Sequence, residues 1–246
     1  TGSGLPSQLT GKLIVELDTQ NTTQDDLEFT SSGSTTFGTA NGINGILEIR
    51  KGKVIDEPNS GFRNYNGATD DGENDIQRGD MSMSGGRYVV SGAGTKPALS
   101  GTYGLAAGNV EFAGTAATKI RIKPNYYNVD ISGTNVESGG KNFVVNNLLK
   151  VTGATAVLTI PEVTLDSETP YVVTAKKGIQ VVAGGKALFK NNAILMQDKD
   201  AANSGNITME RKANVPSTQY NYWTSPVKNQ TLYSIYQGIP SNSVMV

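Results

Sequence analysis

Residues 139–149 read GGKNFVVNNLL, and residues 184–195 read GGKALFKNNAIL. The two segments keep the same spacing from GGK to the Asn pair and differ by one residue after it. Self-similarity at a fixed distance is typical of repeat proteins. If each coil of a solenoid takes roughly 20–25 residues, the two segments lie about two coils apart. We then expect their Asn pairs to stack as a hydrogen-bonded ladder.

Short apolar runs surround these segments, and most are bounded by Gly, Asn, Ser or Pro, which is the pattern of short strands. The predicted strands are residues 13–17, 46–50, 54–55, 87–90, 109–112, 119–122, 127–131, 143–145, 148–151, 156–160, 163–165, 171–174, 179–182, 187–189, 194–196 and 207–210. Residues 18–40 read as loops with a short strand, and residues 59–80 as a polar surface excursion.

Two architectures produce many short strands, the β-sandwich and the β-helix. A sandwich predicts longer alternating strands joined by hairpin turns, whereas here the runs are short and a Gly or Asn corner recurs every several residues. We therefore predict an all-β chain that forms a right-handed parallel β-helix, a solenoid, with an irregular or sandwich-like N-terminal portion. The predicted divisions are residues 1–41 for that portion, 42–212 for the β-helix repeats and 213–246 for an aromatic end-piece.

Composition restricts the chemistry that is open to the chain. It has no Cys and no His, so disulfides, thiolate metal sites and Ser-His-Asp triads are excluded. Charged residues make up 17% and the net charge is -1, which does not favour nucleic acid as a partner. No apolar run is long enough for a transmembrane segment. We expect no catalytic residue, no metal site and no cofactor.

Two polar motifs each have a functional and a structural interpretation. Asp70, Asp71 and Asp75 supply oxygens around Gly72, as a calcium loop does, but the spacing of an EF-hand is missing. A solvated loop is the favoured interpretation, and calcium binding stays open. Residues 78–80 spell the integrin tripeptide RGD, for which we expect an ordinary turn.

Glycoside chemistry needs two carboxyl groups at ~5–10 Å, one of them with a raised pKa. Acids are scattered along the predicted strands and corners, at Glu48, Asp56, Glu57, Glu111, Asp130, Glu162 and Asp166. The best available cluster is Asp130 with Arg121 and Lys123. Exposed charges on an outer face are the favoured interpretation.

Aromatic residues concentrate near the end of the chain, at Tyr220, Tyr222 and Trp223, with a further pair at Tyr126 and Tyr127. Such side chains stack on sugar rings in carbohydrate modules, but more often they fill the core at the end of a β stack. We favour the core for Trp223 and expect Trp223→Ala to cost ~3–5 kcal/mol.

The end of the chain also carries a resemblance. Residues 203–215 (NSGNITMERKANV), 220–227 (YNYWTSPV) and 232–235 (LYSI) resemble a recurrent segment of large secreted proteins of Bacteroidetes-type bacteria. Residues 108–116 (GNVEFAGTA), 126–131 (YYNVDI) and 153–160 (GATAVLTI) are similar to the β-helical stalk repeats of those proteins. The resemblance covers roughly residue 101 to the end, and YNYWTSPV is its most specific element.

The resemblance implies an extracellular or outer-cell-surface location and an adhesin-like, non-enzymatic scaffold that leaves the cell as type IX secretion cargo. Implied partners are secretion or surface-anchoring components, with glycans or other surface proteins as ligands. A C-terminal sorting domain is expected of the family and is not found before Val246, so we expect a segment of a longer protein. The alternative is a polysaccharide-binding or polysaccharide-degrading β-helix protein.

Overall fold

The structure is a computed structural model. It describes residues 7–17, 28–30, 35–37, 45–56, 62–64, 79–99, 101–163 and 169–211. These residues form strands and connecting turns, with no helix in the described ranges, and all of them belong to one unit, Thr1–Arg211. The predicted end-piece at 213–246, with Trp223, lies outside the described residues, as do Asp70, Asp71 and Asp75.

The strands fall into five parallel sheets. A three-stranded sheet contains β1 (Gln8–Leu9), β4 (Thr35–Phe37) and β7 (Phe62–Asn64). A six-stranded sheet contains β10 (Gly94–Lys96), β13 (Thr118–Ile120), β16 (Val136–Ser138), β19 (Val157–Ile160), β22 (Lys186–Phe189) and β24 (Ile207–Met209).

Two further sheets have four strands each. The N-terminal four-stranded sheet contains β2 (Lys12–Glu16), β5 (Gly45–Lys51), β8 (Gly79–Met83) and β11 (Tyr103–Leu105). The C-terminal four-stranded sheet contains β14 (Asn125–Tyr126), β17 (Asn142–Val145), β20 (Val172–Ala175) and β23 (Ile194–Met196).

The seven-stranded sheet is the longest. It contains β3 (Glu28–Thr30), β6 (Lys53–Asp56), β9 (Arg87–Val90), β12 (Asn109–Phe112), β15 (Asn128–Ile131), β18 (Leu148–Thr152) and β21 (Gly178–Val182). In every sheet a strand pairs with the strand three places later in the chain, except that β22 pairs with β24. The described part is therefore all-β, with parallel strands in stacked sheets, as a β-helix-like fold requires.

Register explains the core. Every second residue of a strand faces the interior, and the inward residues of successive strands align. In the seven-stranded sheet one such row consists of Val54, Tyr88, Val110, Val129, Leu149 and Ile179. Each of these side chains is at most 2% exposed. Burial of an aligned row at about 25 cal/mol per Å² of apolar surface is what holds neighbouring strands together.

Corners between strands are tight because backbone stacks on backbone. A Cβ added at Gly133 would lie 2.5 Å from the carbonyl oxygen of Gly114, and one added at Gly114 would lie 2.1 Å from that of Ser91. Glycine is thus required by close approach at this column of corners, which accounts for part of the high glycine content.

The stacking inferred from the two GGK segments is wrong in its register. Phe143 pairs with Val173, which pairs with Leu195, whereas equal spacing predicts Leu188 two coils on. Leu188 lies in the six-stranded sheet and Phe143 in the C-terminal four-stranded sheet. The reason is that coils differ in length: residues 161–171 lengthen the connection between β19 and β20.

An asparagine ladder does exist, but Asn147 stacks on Asn128 of the preceding coil and not on the Asn pair at 191–192. Asn147 Nδ2 donates to Asn128 Oδ1 at 2.8 Å, and Asn128 Nδ2 donates to the Gly108 carbonyl at 3.2 Å. Asn128 Oδ1 also accepts from the Leu148 amide. Asn192, by contrast, has a φ of 62° and lies at the corner after β22, where it forms a turn.

The N-terminal portion differs from the irregular or sandwich-like prediction. Its described residues form β1 to β4, and each of these strands pairs in parallel with the strand three places later. The polar excursion predicted for residues 59–80 likewise contains strands, and Phe62 is buried against Phe37 with ring centroids 5.4 Å apart. A single apolar side chain per strand suffices here, because the neighbouring coils supply the rest of the core.

Candidate functional site

Two carboxylates lie side by side on the outer face of the seven-stranded sheet. Glu111 on β12 and Asp130 on β15 are register partners. Arg87 on β9 reaches both: its NH2 lies 2.7 Å from Glu111 Oε2 and 3.8 Å from Asp130 Oδ2. Ser132 Oγ donates to Glu111 Oε1 at 2.5 Å, and Asn109 Nδ2 donates to Asp130 Oδ2. We call these five residues the Arg87 cluster.

The Arg87 cluster has the geometry of a structural ion network. Register partners in a sheet lie ~4.8 Å apart, which approaches the separation of a retaining glycosidase pair. A glycosidase, however, needs one carboxyl group that holds a proton. Here both carboxylates serve as acceptors, for an arginine and two further donors, which is the arrangement of a network that joins neighbouring coils.

The structure does not assemble the predicted cluster of Asp130 with Arg121 and Lys123. Arg121 is 6% exposed, and its Nε donates to the Pro97 carbonyl at 2.7 Å. Lys123 is exposed at the bend between β13 and β14. Asp130 contacts Arg87 and Asn109 instead, because the parallel register aligns residues of successive coils rather than residues that are close in sequence.

The other predicted acids are dispersed. Glu48 on β5 receives Lys12 Nζ at 2.7 Å and Arg50 Nε at 2.5 Å. These hydrogen bonds, first that from Lys12 and then that from Arg50, hold the pKa of Glu48 below its usual range. Glu162 follows β19. Glu57 and Asp166 lie outside the described residues.

Asp56 lies in the core, whereas the sequence analysis favoured an exposed outer face for it and for the other scattered acids. It is 1% exposed, at a position in the inward row where Val90 and Phe112 follow in the next coils. Its Oδ2 accepts from the Tyr88 hydroxyl at 2.7 Å and its Oδ1 from the Phe62 amide at 3.0 Å. Burial, and then the charge of Asp56, raise the pKa of Tyr88 well above its ordinary value.

Tyr126 and Tyr127 separate in the structure. Tyr126 is fully buried, its hydroxyl donates to the Arg121 carbonyl at 2.8 Å, and its ring packs edge-on between Phe112 and Phe143. It is therefore a core residue and no platform for sugars. Tyr127 is 37% exposed. Tyr220 and Tyr222, like Trp223, lie outside the described residues.

The two described residues of the RGD tripeptide, Gly79 and Asp80, lie in a strand and not in the turn that we expected. Gly79 and Asp80 begin β8, and Gly79 is buried with Phe37 and Leu99 where its Cβ would be. Asp80 Oδ1 accepts from the Thr102 amide at 2.6 Å. Arg78 lies outside the described residues. Among the ranges that the structure does describe, no group of three or more acidic side chains is placed to hold a metal ion.

Sequence reasoning missed one surface, the outer face of the C-terminal four-stranded sheet. Its outward positions are occupied by Asn125, Asn142, Val144, Val172, Thr174, Ile194 and Met196. None of these seven residues is charged, and Ile194 and Met196 are 39% and 54% exposed. We call them the apolar strip. The available signal was the apolar residue at alternate positions of β17, β20 and β23, which a period of two places outside the core.

Comparison with known families gives one match. Residues 115–245 match the model of a family described as Domain of unknown function (DUF8693). The chain belongs to this family. No curated protein and no solved structure matches the chain. In the part of the chain that the structure describes, no helix is long and apolar enough to cross a membrane.

The DUF8693 match separates the two surfaces described above. It begins at residue 115, so Asp130 falls inside it while Arg87 and Glu111 precede it. All four strands of the C-terminal four-stranded sheet, and hence the whole apolar strip, lie within the match. Of these two surfaces, the strip is the one that lies entirely within the DUF8693 match.

Proposed function

We propose that the chain is a non-enzymatic, adhesin-like scaffold of the outer cell surface, built as a right-handed parallel β-helix. The fold part of the proposal rests on the parallel pairing within each sheet, where a strand pairs with the strand three places later, except that β22 pairs with β24. Crossover connections between parallel strands of one sheet are right-handed in about 98% of cases, which supports the hand.

One observation carries the scaffold function: several outward charges form ion pairs with residues of the next coil. Lys12 contacts Glu48, Lys177 contacts Asp198 at 3.0 Å, and Lys190 contacts Glu210 at 2.6 Å. The Arg87 cluster does the same on the seven-stranded sheet. Charges placed in this way join coils to one another and leave little for acid–base chemistry, which favours a scaffold over a polysaccharide-degrading enzyme.

Location and route are proposed on the sequence resemblance. A neutral, glycine-rich chain without Cys needs no oxidative folding, and the resemblance of residues 203–235 to secreted Bacteroidetes-type proteins adds type IX secretion and surface-anchoring components as partners. The chain is then cargo that is exported and displayed.

The test uses intact cells of a bacterium that encodes the chain, with an epitope tag on the protein. We expect added protease to remove the tag from wild-type cells, and deletion of the type IX translocon to protect it. Protection of the tag in wild-type cells would contradict surface display. Incubation of the purified protein with a polysaccharide panel should release no reducing ends, and release would contradict the non-enzymatic proposal.

A further inference from the structure

We propose that the apolar strip is a docking site for a neutral polysaccharide chain, so that the scaffold adheres to an uncharged glycan. This inference rests on the proposed adhesive function and names its ligand class. The strip is formed by two register rows. One row consists of Asn125, Val144, Thr174 and Met196, and the other of Asn142, Val172 and Ile194.

The chemistry of the strip distinguishes it from the rest of the described surface. The outer face of the seven-stranded sheet carries Arg87, Glu111, Asp130 and Lys150, and the six-stranded sheet carries Lys119 beside Glu137. The strip carries no charge, and apolar atoms of Ile194 and Met196 are exposed. A charged polymer would gain no ion pair from its seven residues, whereas a neutral ligand loses no solvated charge on binding.

The size of the strip argues against a folded partner. Four strands spaced ~4.8 Å apart, with one outward position on β14 and two on each of β17, β20 and β23, give an area of roughly 200 Å². A stable protein–protein interface needs about 800 Å² from each partner. A second copy of this chain would therefore gain too little from the strip, but a single linear polymer fits its width.

The shape of the strip favours a polysaccharide over an extended peptide. Peptides that dock on sheets add to an open edge, where backbone donors and acceptors are free. The strip is a sheet face, on which the backbone groups of β17 and β20 pair with neighbouring strands. Sugar rings present apolar C–H faces with hydroxyl groups at the rim. The side chains of Val144, Val172 and Ile194 can pack against the C–H faces. The exposed amides of Asn125 and Asn142 can form hydrogen bonds with the hydroxyl groups.

The experiment is affinity gel electrophoresis of the purified chain in gels that contain xyloglucan, galactomannan or mixed-linkage β-glucan, with polygalacturonate as the acidic comparator. We expect retardation by at least one neutral polysaccharide and none by polygalacturonate. The double variant Ile194→Ser with Met196→Ser should raise the Kd at least tenfold. Leu188→Ser, an outward leucine on the six-stranded sheet, is the matched control and should leave the Kd unchanged.

Several results would overturn the proposal: no retardation by any of the three neutral polysaccharides, retardation by polygalacturonate alone, or equal losses in the double variant and in Leu188→Ser. Thermal melting of each variant shows whether a loss reflects unfolding, in which case the conservative variant Met196→Thr must still weaken binding. Self-association that the double variant abolishes, measured by sedimentation, would also count against it. Release of reducing ends would contradict the non-enzymatic function and leave the strip as a binding site.

Discussion

The hydroxyl group of Tyr88 donates a hydrogen bond to Asp56 Oδ2 at 2.7 Å, with both side chains inside the stack at no more than 1% exposure. Tyr88→Phe removes this donor from a buried carboxylate. We expect a loss of about 1–3 kcal/mol in the free energy of unfolding, measured by urea denaturation. Tyr127→Phe is the control, because Tyr127 is 37% exposed, and should change stability by less than about 0.5 kcal/mol. Equal stability of the two variants would contradict the assignment.

Alkaline pH should destabilise the fold through two buried tyrosines. Burial raises the pKa of both Tyr88 and Tyr126 well above the ordinary value of 10.0. The folded chain therefore keeps two phenolic protons that the unfolded chain releases, so stability is full below pH 10.0 and falls as pH rises above it. Melting temperatures recorded from about pH 9 to about pH 11 should fall less steeply for Tyr126→Phe than for the wild type. An unchanged slope would refute this account.

The Arg87 cluster should behave as an ion network that salt can screen. Arg87→Met leaves Glu111 and Asp130 as like charges in register, and we expect a loss of about 0.5–1 kcal/mol at low ionic strength. Glu111→Gln in the same chain should restore stability, and 1 M NaCl should remove most of the difference. Lys186→Met, on the six-stranded sheet, is the control and should be neutral. If Arg87→Met is also neutral at low salt, the network contributes nothing.

Close packing at the corners makes a prediction about glycine. Gly133→Ala places a Cβ 2.5 Å from the Gly114 carbonyl oxygen, and we expect a loss of about 1–3 kcal/mol from overpacking. Gly104→Ala is a matched control, because the nearest atom to its added Cβ is Ser82 Cβ at 3.7 Å, an ordinary contact. Urea denaturation of both variants measures the loss in the free energy of unfolding, which should be larger for Gly133→Ala. Equal effects would mean that the corners are looser than described.

Most strands with two or more buried apolar residues could be read from the sequence, although β8, in which Met81 and Met83 are buried, was not predicted. Residues 87–90 and 109–112 were predicted with the bounds that the structure has, because alternation and turn residues are local signals. β10, β14 and β16 were missed, since each of them has few apolar side chains and depends on neighbouring coils for its core. The register of the strands could not be predicted either, because it depends on the length of each coil. Residues 161–171 lengthen one coil, so the equal spacing of the two GGK segments predicted the wrong strand partners.

The same limit applies to the candidate surfaces. Arg87, Glu111 and Asp130 are distant in the sequence and meet only because β9, β12 and β15 are in register. The apolar strip unites β17, β20 and β23 for the same reason. Residue type and local spacing predict that these side chains lie on an outer face. They do not predict which residues of different coils become neighbours, because that depends on the strand register.

Engineered disulfides test the stacked parallel coils most directly, because the chain has no cysteine of its own. Thr159 and Leu188 are register partners at outward positions, as are Ile14 and Glu48, so cysteines at either pair meet the ~4.4–6.8 Å Cα separation of a disulfide. We expect both pairs to cross-link under mild oxidation of the folded chain, as seen on non-reducing gels. The diagonal pair Thr159 and Lys186 should not. Failure of the register pairs, or equal cross-linking of the diagonal pair, would contradict the stack.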